Sequence, residues 1–140
     1  FEYEGIEFEV SCEDLKIYSY ENELIQVFLT IFNNAKDAMN ANLTSKIVFI
    51  NTHVKDNHLE IKIRDNAGGI PTDIMGNIFE PYFTTKHQSQ GTGIGLYIAN
   101  EIIVKHMKGT IHVHNVEFEY KDAQYIGAEF VINIPLIPKL

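Results

Sequence analysis

From Leu59 onward the chain alternates cleanly, with Leu59, Ile61 and Ile63 on one side of a strand and Glu60, Lys62 and Arg64 on the other. Side chains on a strand alternate between faces, so the same phase puts Asp65 on the apolar side. A carboxylate at the end of a core-facing row is costly unless something satisfies it. Any fold for this sequence must supply that carboxylate with a partner. Asn66-Ala-Gly-Gly-Ile-Pro71 follows, and six of the nine glycines (68, 69, 76, 91, 93 and 95) fall between 65 and 96. Glycine permits positive φ and close approach of a ligand to the main chain. A stretch that concentrates this freedom between regular flanks reads as a binding site, here for a nucleotide. Two roles stay open for Asp65: an acceptor for a ligand's donor, such as an exocyclic amine in an apolar pocket, or a cap on the turn at Asn66-Ala67.

The flanks read as alternating strands and amphipathic helices. Residues 6–12 alternate with period two and form a strand, and Lys16 to Tyr20 a second short one. Ser19 or Asn22 caps a helix whose first turn carries Glu21 and Glu23 and whose apolar stripe runs from Leu24 through Phe28, Ile31, Ala35 and Ala38 to about Met39. Asn40 to Ser45 is the loop that ends it. Strands 47–54 and 59–65 form a hairpin through Lys55-Asp-Asn-His58. A short helical turn spans Asp73 to Ile78, and the polar, unpatterned residues 84–91 read as a mobile loop. A second helix starts at Gly95 and carries Leu96, Ala99, Ile103 and Met107 on one face, with Gly109 at its C-terminal stop. A strand over 110–116, a charged connection over 117–124 and a last strand over 126–134 complete the chain. Antiparallel hairpins with helices gathered on one face predict a two-layer α+β sandwich.

At 140 residues, residues 1–140 are read as one domain. The chain starts at Phe1 rather than Met and is expected to be a piece of a longer protein. The net charge of −8 excludes a general nucleic-acid surface, which needs a basic footprint. A small anionic ligand is compatible with it, because local amides and a metal ion oppose the global field. The single Cys12 excludes an internal disulfide and a multi-cysteine zinc site and suits a reducing cytoplasm. The six histidines lack metal-ligand spacing, and His112 and His114 read as an exposed polar face. No apolar run is long enough to span a membrane, so no direct membrane contact is expected of these residues.

Three further features carry chemistry. Asn34 falls in the stripe Val27, Ile31, Asn34, Ala38, where its amide oxygen either ligates a hard cation such as Mg²⁺ or is satisfied by backbone. Asp37, its neighbour on the helix surface, either supports the metal's waters or is solvated. Gly91-Thr-Gly-Ile-Gly-Leu96 leads into the second helix and offers amides to phosphates. It is neither a dinucleotide-binding fingerprint nor a P-loop. Lys86, just upstream, either reaches a terminal phosphate or is simply solvated.

Asn34 on a helix, Asp65-x-x-x-Gly69, Phe79-Glu-Pro-Tyr-Phe83 and Gly91-Thr-Gly-Ile-Gly-Leu96, in that order, resemble the N, G1, F and G2 boxes of sensor histidine kinases. The resemblance spans roughly residues 20 to 135. Residues 26–35 and Phe83-Thr-Thr-Lys86 are similar to the nitrogen-regulation-like branch. It implies the Bergerat ATP-binding fold, a two-layer sandwich with a mixed sheet, helices on one face and a mobile lid over Mg²⁺·ATP between 71 and 90. By resemblance, Asn34 ligates Mg²⁺ and Asp65 bonds the adenine amino group. Gly69 lets the backbone approach the nucleotide, and Gly91, Gly93 and Gly95 shape the lid hinge and phosphate site, with Lys86 near the γ-phosphate. Asp37, Ala38, Ala67, Ile70, Phe83, Thr84, Thr85, Thr92, Ile94 and Leu96 complete the implied lining, and Asn34 and Lys86 are the implied catalytic residues.

The implied activity is donation of ATP's γ-phosphate to a histidine on a separate dimerisation domain of the same protein, a homodimer, with a response regulator downstream. The domain would be cytoplasmic, with any membrane anchor elsewhere. The acceptor motif, a helical histidine followed by an acidic residue, is absent, so this chain is not expected to phosphorylate itself. Three positions depart from the family pattern. Ala67 stands where the G1 box often has glycine, Ala128 where a threonine often follows Gly127, and Thr30 where many kinases have asparagine. Related chaperone, gyrase and mismatch-repair ATPases carry a water-activating glutamate at that last position, and a threonine is no base at neutral pH. Hydrolysis as the main activity is therefore disfavoured, and the alternatives are a pseudokinase that binds nucleotide or a partner without transfer, or a related ATPase of the chaperone or topoisomerase kind.

Overall fold

Val27, Ile31 and Ala35 recur at helical spacing and lie on the buried side of helix α1, Glu21–Ala38. The structure, a computed structural model, describes residues 2, 3, 5–11, 21–39, 45–83 and 94–136. The expected strand at 16–20, the cap at Ser19, Cys12 and the loop at 40–44 lie outside these. Asn22 falls inside α1 rather than at a cap.

Two strands precede the helix, β1 at Glu2–Tyr3 and β2 at Ile6–Ser11. After it come β3 at Ile47–Lys55 and β4 at His58–Asp65, joined through Asp56 and Asn57, whose φ values of 52° and 61° give the mirror-image turn that suits a tight hairpin. A single 3₁₀ turn at Met75–Asn77 sits where a short helical turn was expected. Helix α2, Gly95–Glu101, runs on into a wide π turn at Ile102–His106. Its stop differs from expectation. The left-handed residue is Lys108, with φ 59°, while Gly109 is required because a Cβ there would lie 2.1 Å from the carbonyl oxygen of Asn133.

The last two strands are β5, Thr110–Tyr120, and β6, Ala123–Pro135. The sheet order is β1-β2-β3-β4-β6-β5, with β2 parallel to β3 and every other pair antiparallel. The mixed two-layer sandwich is thus as expected. Ile61, Ile63, Phe130 and Ile132 from the sheet meet Val27 and Ile31 from α1 and Ala99 and Ile103 from α2 in one core. Each of the valine, isoleucine and phenylalanine side chains contributes roughly 1.5–3 kcal/mol by leaving water.

The reading of 117–124 as a charged connection is overturned. β5 and β6 stay in register out to Tyr120↔Ala123, turning on Lys121 and Asp122, with φ values of 49° and 65°. Counting charges hid the phase, because Val116, Phe118 and Tyr120 alternate with Glu117 and Glu119. β4 pairs with β6 only as far as Arg64↔Glu129, so the tip of the hairpin stands free of the ladder. It folds across the face away from the helices. Although three strands separate β5 from β2, the Tyr120 hydroxyl donates to Glu9 Oε1 at 2.7 Å and Glu7 Oε2 at 3.0 Å. Beneath it the Arg64 guanidinium lies 4.5 Å from the Phe49 ring centre and 4.1 Å from that of Phe118, a cation–π sandwich. His112 and His114 are exposed as expected, with His114 Nε2 2.7 Å from Glu129 Oε1.

The hydrogen bond from Tyr120 holds the Glu9 carboxyl below its usual range, with a lesser contribution through Glu7. In Tyr120→Phe, Glu9 should titrate back toward ordinary carboxylate values in a side-chain NMR pH titration. An unmoved Glu9 would place the hairpin tip elsewhere.

Candidate functional site

Asp65 ends β4 on the core side and is 7% exposed. Both of its hydrogen bonds fall on one oxygen: Oδ1 accepts from the Ala67 N–H at 2.9 Å and the Ala128 N–H at 3.1 Å. Among the described residues, neither amide reaches Oδ2. Burial pushes the carboxyl's pKa up from its ordinary value, and the two amides oppose that shift without cancelling it. The turn-capping role and the acceptor role, open alternatives on sequence, are compatible because they use different oxygens.

The carboxylate needs close backbone packing. A Cβ on Gly127 would lie 1.7 Å from the Asp65 carbonyl oxygen and 3.1 Å from its Oδ1, so only glycine fits there. Asn66 secures the other side, with Oδ1 accepting from Ile47 N–H at 3.0 Å and Nδ2 donating to the Ser45 carbonyl at 2.8 Å, and it is 3% exposed. The chain then turns through Gly68 (φ 98°) and Gly69 (φ 85°), with the Gly68 N–H donating to the Ile126 carbonyl at 2.9 Å. Ala67 is absent from the residues with positive φ, so its methyl causes no strain. Ile70 N–H donates to Asn115 Oδ1, and Asn115 Nδ2 donates back to the Ile70 carbonyl, each at 2.8 Å.

On α1, Asn34 is half-buried and its Nδ2 donates to the Thr30 carbonyl at 2.9 Å. That orientation commits the amide's nitrogen and keeps its oxygen for a hard cation, so the residue fits a Mg²⁺ ligand. Asp37 and Ala38 are exposed at the end of α1, and Asp37 has partners within the fold. Thr30 also meets the start of α2, because a Cβ on Gly95 would lie 3.2 Å from Thr30 Cγ2. The turn that carries Asn34 and the residues Ile94, Gly95 and Leu96 are therefore neighbours across one helix contact. Phe83 packs on the core, as does Phe79, whose ring stands edge-on to Phe130 at 6.3 Å. Thr84, Thr85, Lys86, Gly91, Thr92 and Gly93 lie outside the described residues. Among the described residues there is no cluster of three metal-ligating side chains.

Sequence reasoning missed three contributors. Gly127 was legible, as a lone glycine inside an alternating strand marks a close backbone approach. Asn66 and Asn115 carried no signal, since their roles depend on which strands become neighbours.

Residues 19–138 match the family described as histidine kinase-, DNA gyrase B-, and HSP90-like ATPase. The two-component sensor PprA of Pseudomonas aeruginosa is 32% identical over 136 residues, which is 91% of this chain and 14% of PprA. A mycobacterial sensor histidine kinase, MprB, superposes with a TM-score of 0.77 at 24% identity, over 96% of this chain and 86% of that one. The catalytic domain of the histidine kinase ThkA, nucleotide-free, gives a TM-score of 0.76 at 26% identity over 96% and 82% of the two chains. ThkA is also solved in complex with the response regulator protein TrrA (TM-score 0.68, 24% identity, 94% and 34% covered). The chain spans less than a fifth of PprA's length.

Gly127→Ala should destabilise the domain by about 3 kcal/mol in urea unfolding, the upper end for overpacking, since the clash is with backbone rather than a movable side chain. Asp65→Asn should do the reverse. A folded-state pKa raised above the unfolded one means the ionised carboxylate opposes folding, a cost absent below the unfolded pKa and complete above the folded one. At neutral pH, Asp65→Asn should therefore match or exceed the wild type in apo stability. Any advantage should vanish as pH falls through the folded and then the unfolded pKa of Asp65. A large loss at neutral pH would contradict this.

Proposed function

Because the chain belongs to the histidine kinase-, DNA gyrase B- and HSP90-like ATPase family, we propose that it binds Mg²⁺·ATP and donates the γ-phosphate to a histidine on a dimerisation domain of the same, homodimeric protein. The observation that carries the nucleotide half is the buried Asp65, whose Oδ1 takes both amides while Oδ2 takes neither. A buried acceptor suits the exocyclic amine of adenine. Asn34 would hold the metal, which supplies charge neutralisation at the phosphates. Lys86 and the amides of the segment 91–96 would serve the phosphate end, and Thr84, Thr85, Thr92 and Phe83 the lid.

Transfer breaks the bond between the γ-phosphorus and its bridging oxygen and forms one to an imidazole nitrogen, releasing ADP and a proton. Such a reaction asks the binding domain mainly to position the donor and neutralise charge. Hydrolysis would need a base to activate water, and Thr30, spent on packing against Gly95, has no such capacity. The pseudokinase alternative drew on Ala67 and Ala128, but both supply the site with main-chain N–H groups, which an alanine provides as well as glycine or threonine. A response regulator is the proposed downstream partner, and the cytoplasm the proposed location. No described helix is long and apolar enough to cross a membrane.

Calorimetric titration with Mg²⁺·ATP tests the first half. In Asp65→Asn the amide oxygen would keep the two backbone bonds and turn its NH₂ toward the adenine amine, donor against donor. Affinity should fall by at least about tenfold, the worth of a hydrogen bond to a charged group. Unchanged affinity would remove Asp65 from adenine recognition. Labelled ATP with a dimerisation domain bearing the acceptor histidine tests the second half: the label should appear on that domain, and in Asn34→Ala it should not. Binding without transfer to any such domain would favour the pseudokinase.

A further inference from the structure

Asn115 is an exposed asparagine in the middle of a strand, yet both polar ends of its side chain are spent on one residue of the glycine turn. It accepts from Ile70 N–H and donates to the Ile70 carbonyl, each at 2.8 Å, forty-five positions back along the chain. This reproduces with a side chain the paired bonds by which two strands join. We propose that Asn115 is a positioning residue for nucleotide binding, holding the Gly68-Gly69-Ile70 turn open in the shape the bound base requires. The proposal rests on the nucleotide reading above and deepens it.

Three observations support it. Asn115 sits opposite Ala128 in the β5–β6 register, and Ala128 is the residue whose N–H holds Asp65 Oδ1. One cross-strand pair thus grips both ends of the segment 65–70, Asp65 through Ala128 and Ile70 through Asn115. Second, a Cβ on Gly69 would fall 2.9 Å from Asn115 Oδ1 and 3.1 Å from its Cγ. The glycine makes room for the asparagine, so its role in the turn is set from the protein side as well as by any ligand. Third, the positive φ of Gly68 and Gly69 (98° and 85°) marks a turn with many alternative conformations. Between Asp65 and Ile70 the only further anchor from β6 is the Gly68 bond to Ile126. A turn left loose beyond that point would have to be ordered by each nucleotide that binds, which lowers affinity.

A role confined to stability predicts something different from a positioning role. Asn115 lies outside the hydrophobic core, so the fold should survive its truncation while the turn loosens. The experiment measures three quantities on the same 140-residue chain: the apo melting curve, amide exchange at Gly69 and Ile70, and Mg²⁺·ATP affinity by calorimetry. In Asn115→Ala, exchange at Ile70 should quicken while β4 and β6 amides stay protected, and affinity should fall on the order of tenfold, with the domain still folded at the assay temperature. Asn115→Asp keeps an acceptor for Ile70 N–H but turns its second oxygen against the Ile70 carbonyl, acceptor against acceptor, and should loosen the turn and weaken binding at least as much as the alanine variant. It serves as the informative variant if the alanine form does not fold. Wild-type affinity in the folded alanine variant would overturn the proposal, as would a loss that merely tracks the unfolded fraction in both variants. A wild-type chain that takes up no nucleotide would sink the nucleotide reading and the proposal together, whereas normal wild-type binding with an indifferent Asn115 would sink the positioning role alone.

Discussion

A carboxylate at the end of a core-facing row is the constraint from which the rest of the site follows. By the β4–β6 register, Asp65 would be the next residue to pair after Arg64↔Glu129, opposite Ala128. The Ala128 N–H instead donates to the Asp65 side chain. The ladder gives way to a side-chain bond where the carboxylate enters, and Gly127 lets the two backbones close to a distance that no other residue permits. Burial still leaves the carboxyl's pKa raised, so the fold carries a charge it would be more stable without. Retaining such a group costs stability, a cost that the proposed recognition role would account for.

The β5–β6 hairpin turns this local bargain into a property of the whole sheet. Midway along the hairpin, Asn115, Ile126 and Ala128 bond the segment from Asp65 to Ile70 and Gly127 makes room for it. At its tip, Tyr120 bonds Glu7 and Glu9 on β2, with Phe49 and Phe118 enclosing Arg64 between. One covalent hairpin therefore touches the glycine turn at one end of the sheet and the first long strand at the other. The face away from the helices, polar by the alternation of β4, is in part covered by the chain's own aromatic residues.

What could be read from sequence was whatever depends on period and phase. The stripe of α1 as far as Ala35, the row ending at Asp65 and the hairpin at Asp56-Asn57 are local patterns that the structure keeps, while Ala38, read as the end of that stripe, is exposed. The hairpin tip was misread although its phase was intact, because charged residues on the outward side of a strand look like a solvated loop when counted rather than aligned. Lys108 taking the left-handed position at the end of the second helix escaped for another reason. Gly109 was assigned to that end on local grounds, while its actual requirement is a contact with Asn133 on β6. Asn66 and Asn115 were illegible in principle, since an asparagine declares no partner until strands distant in sequence lie side by side.

The same distinction bears on the three departures from the family pattern. Ala67 and Ala128 act through their N–H groups, which every residue but proline supplies, and Ala67 needs no positive φ. Thr30 contributes its carbonyl to Asn34 and its methyl to the packing beneath Gly95. Within the protein, these three residues contribute main-chain groups and packing rather than side-chain polar bonds. The positions with no such latitude are of two kinds. At Gly69 and Gly127 the missing side chain is itself the function, because Asn115 and Asp65 fill the space. At Asn66 and Asn115 both polar ends of the side chain are engaged, one accepting and one donating, so a residue of equal size with one end altered breaks a bond there, whereas Asp65 spends a single oxygen on the Ala67 and Ala128 amides.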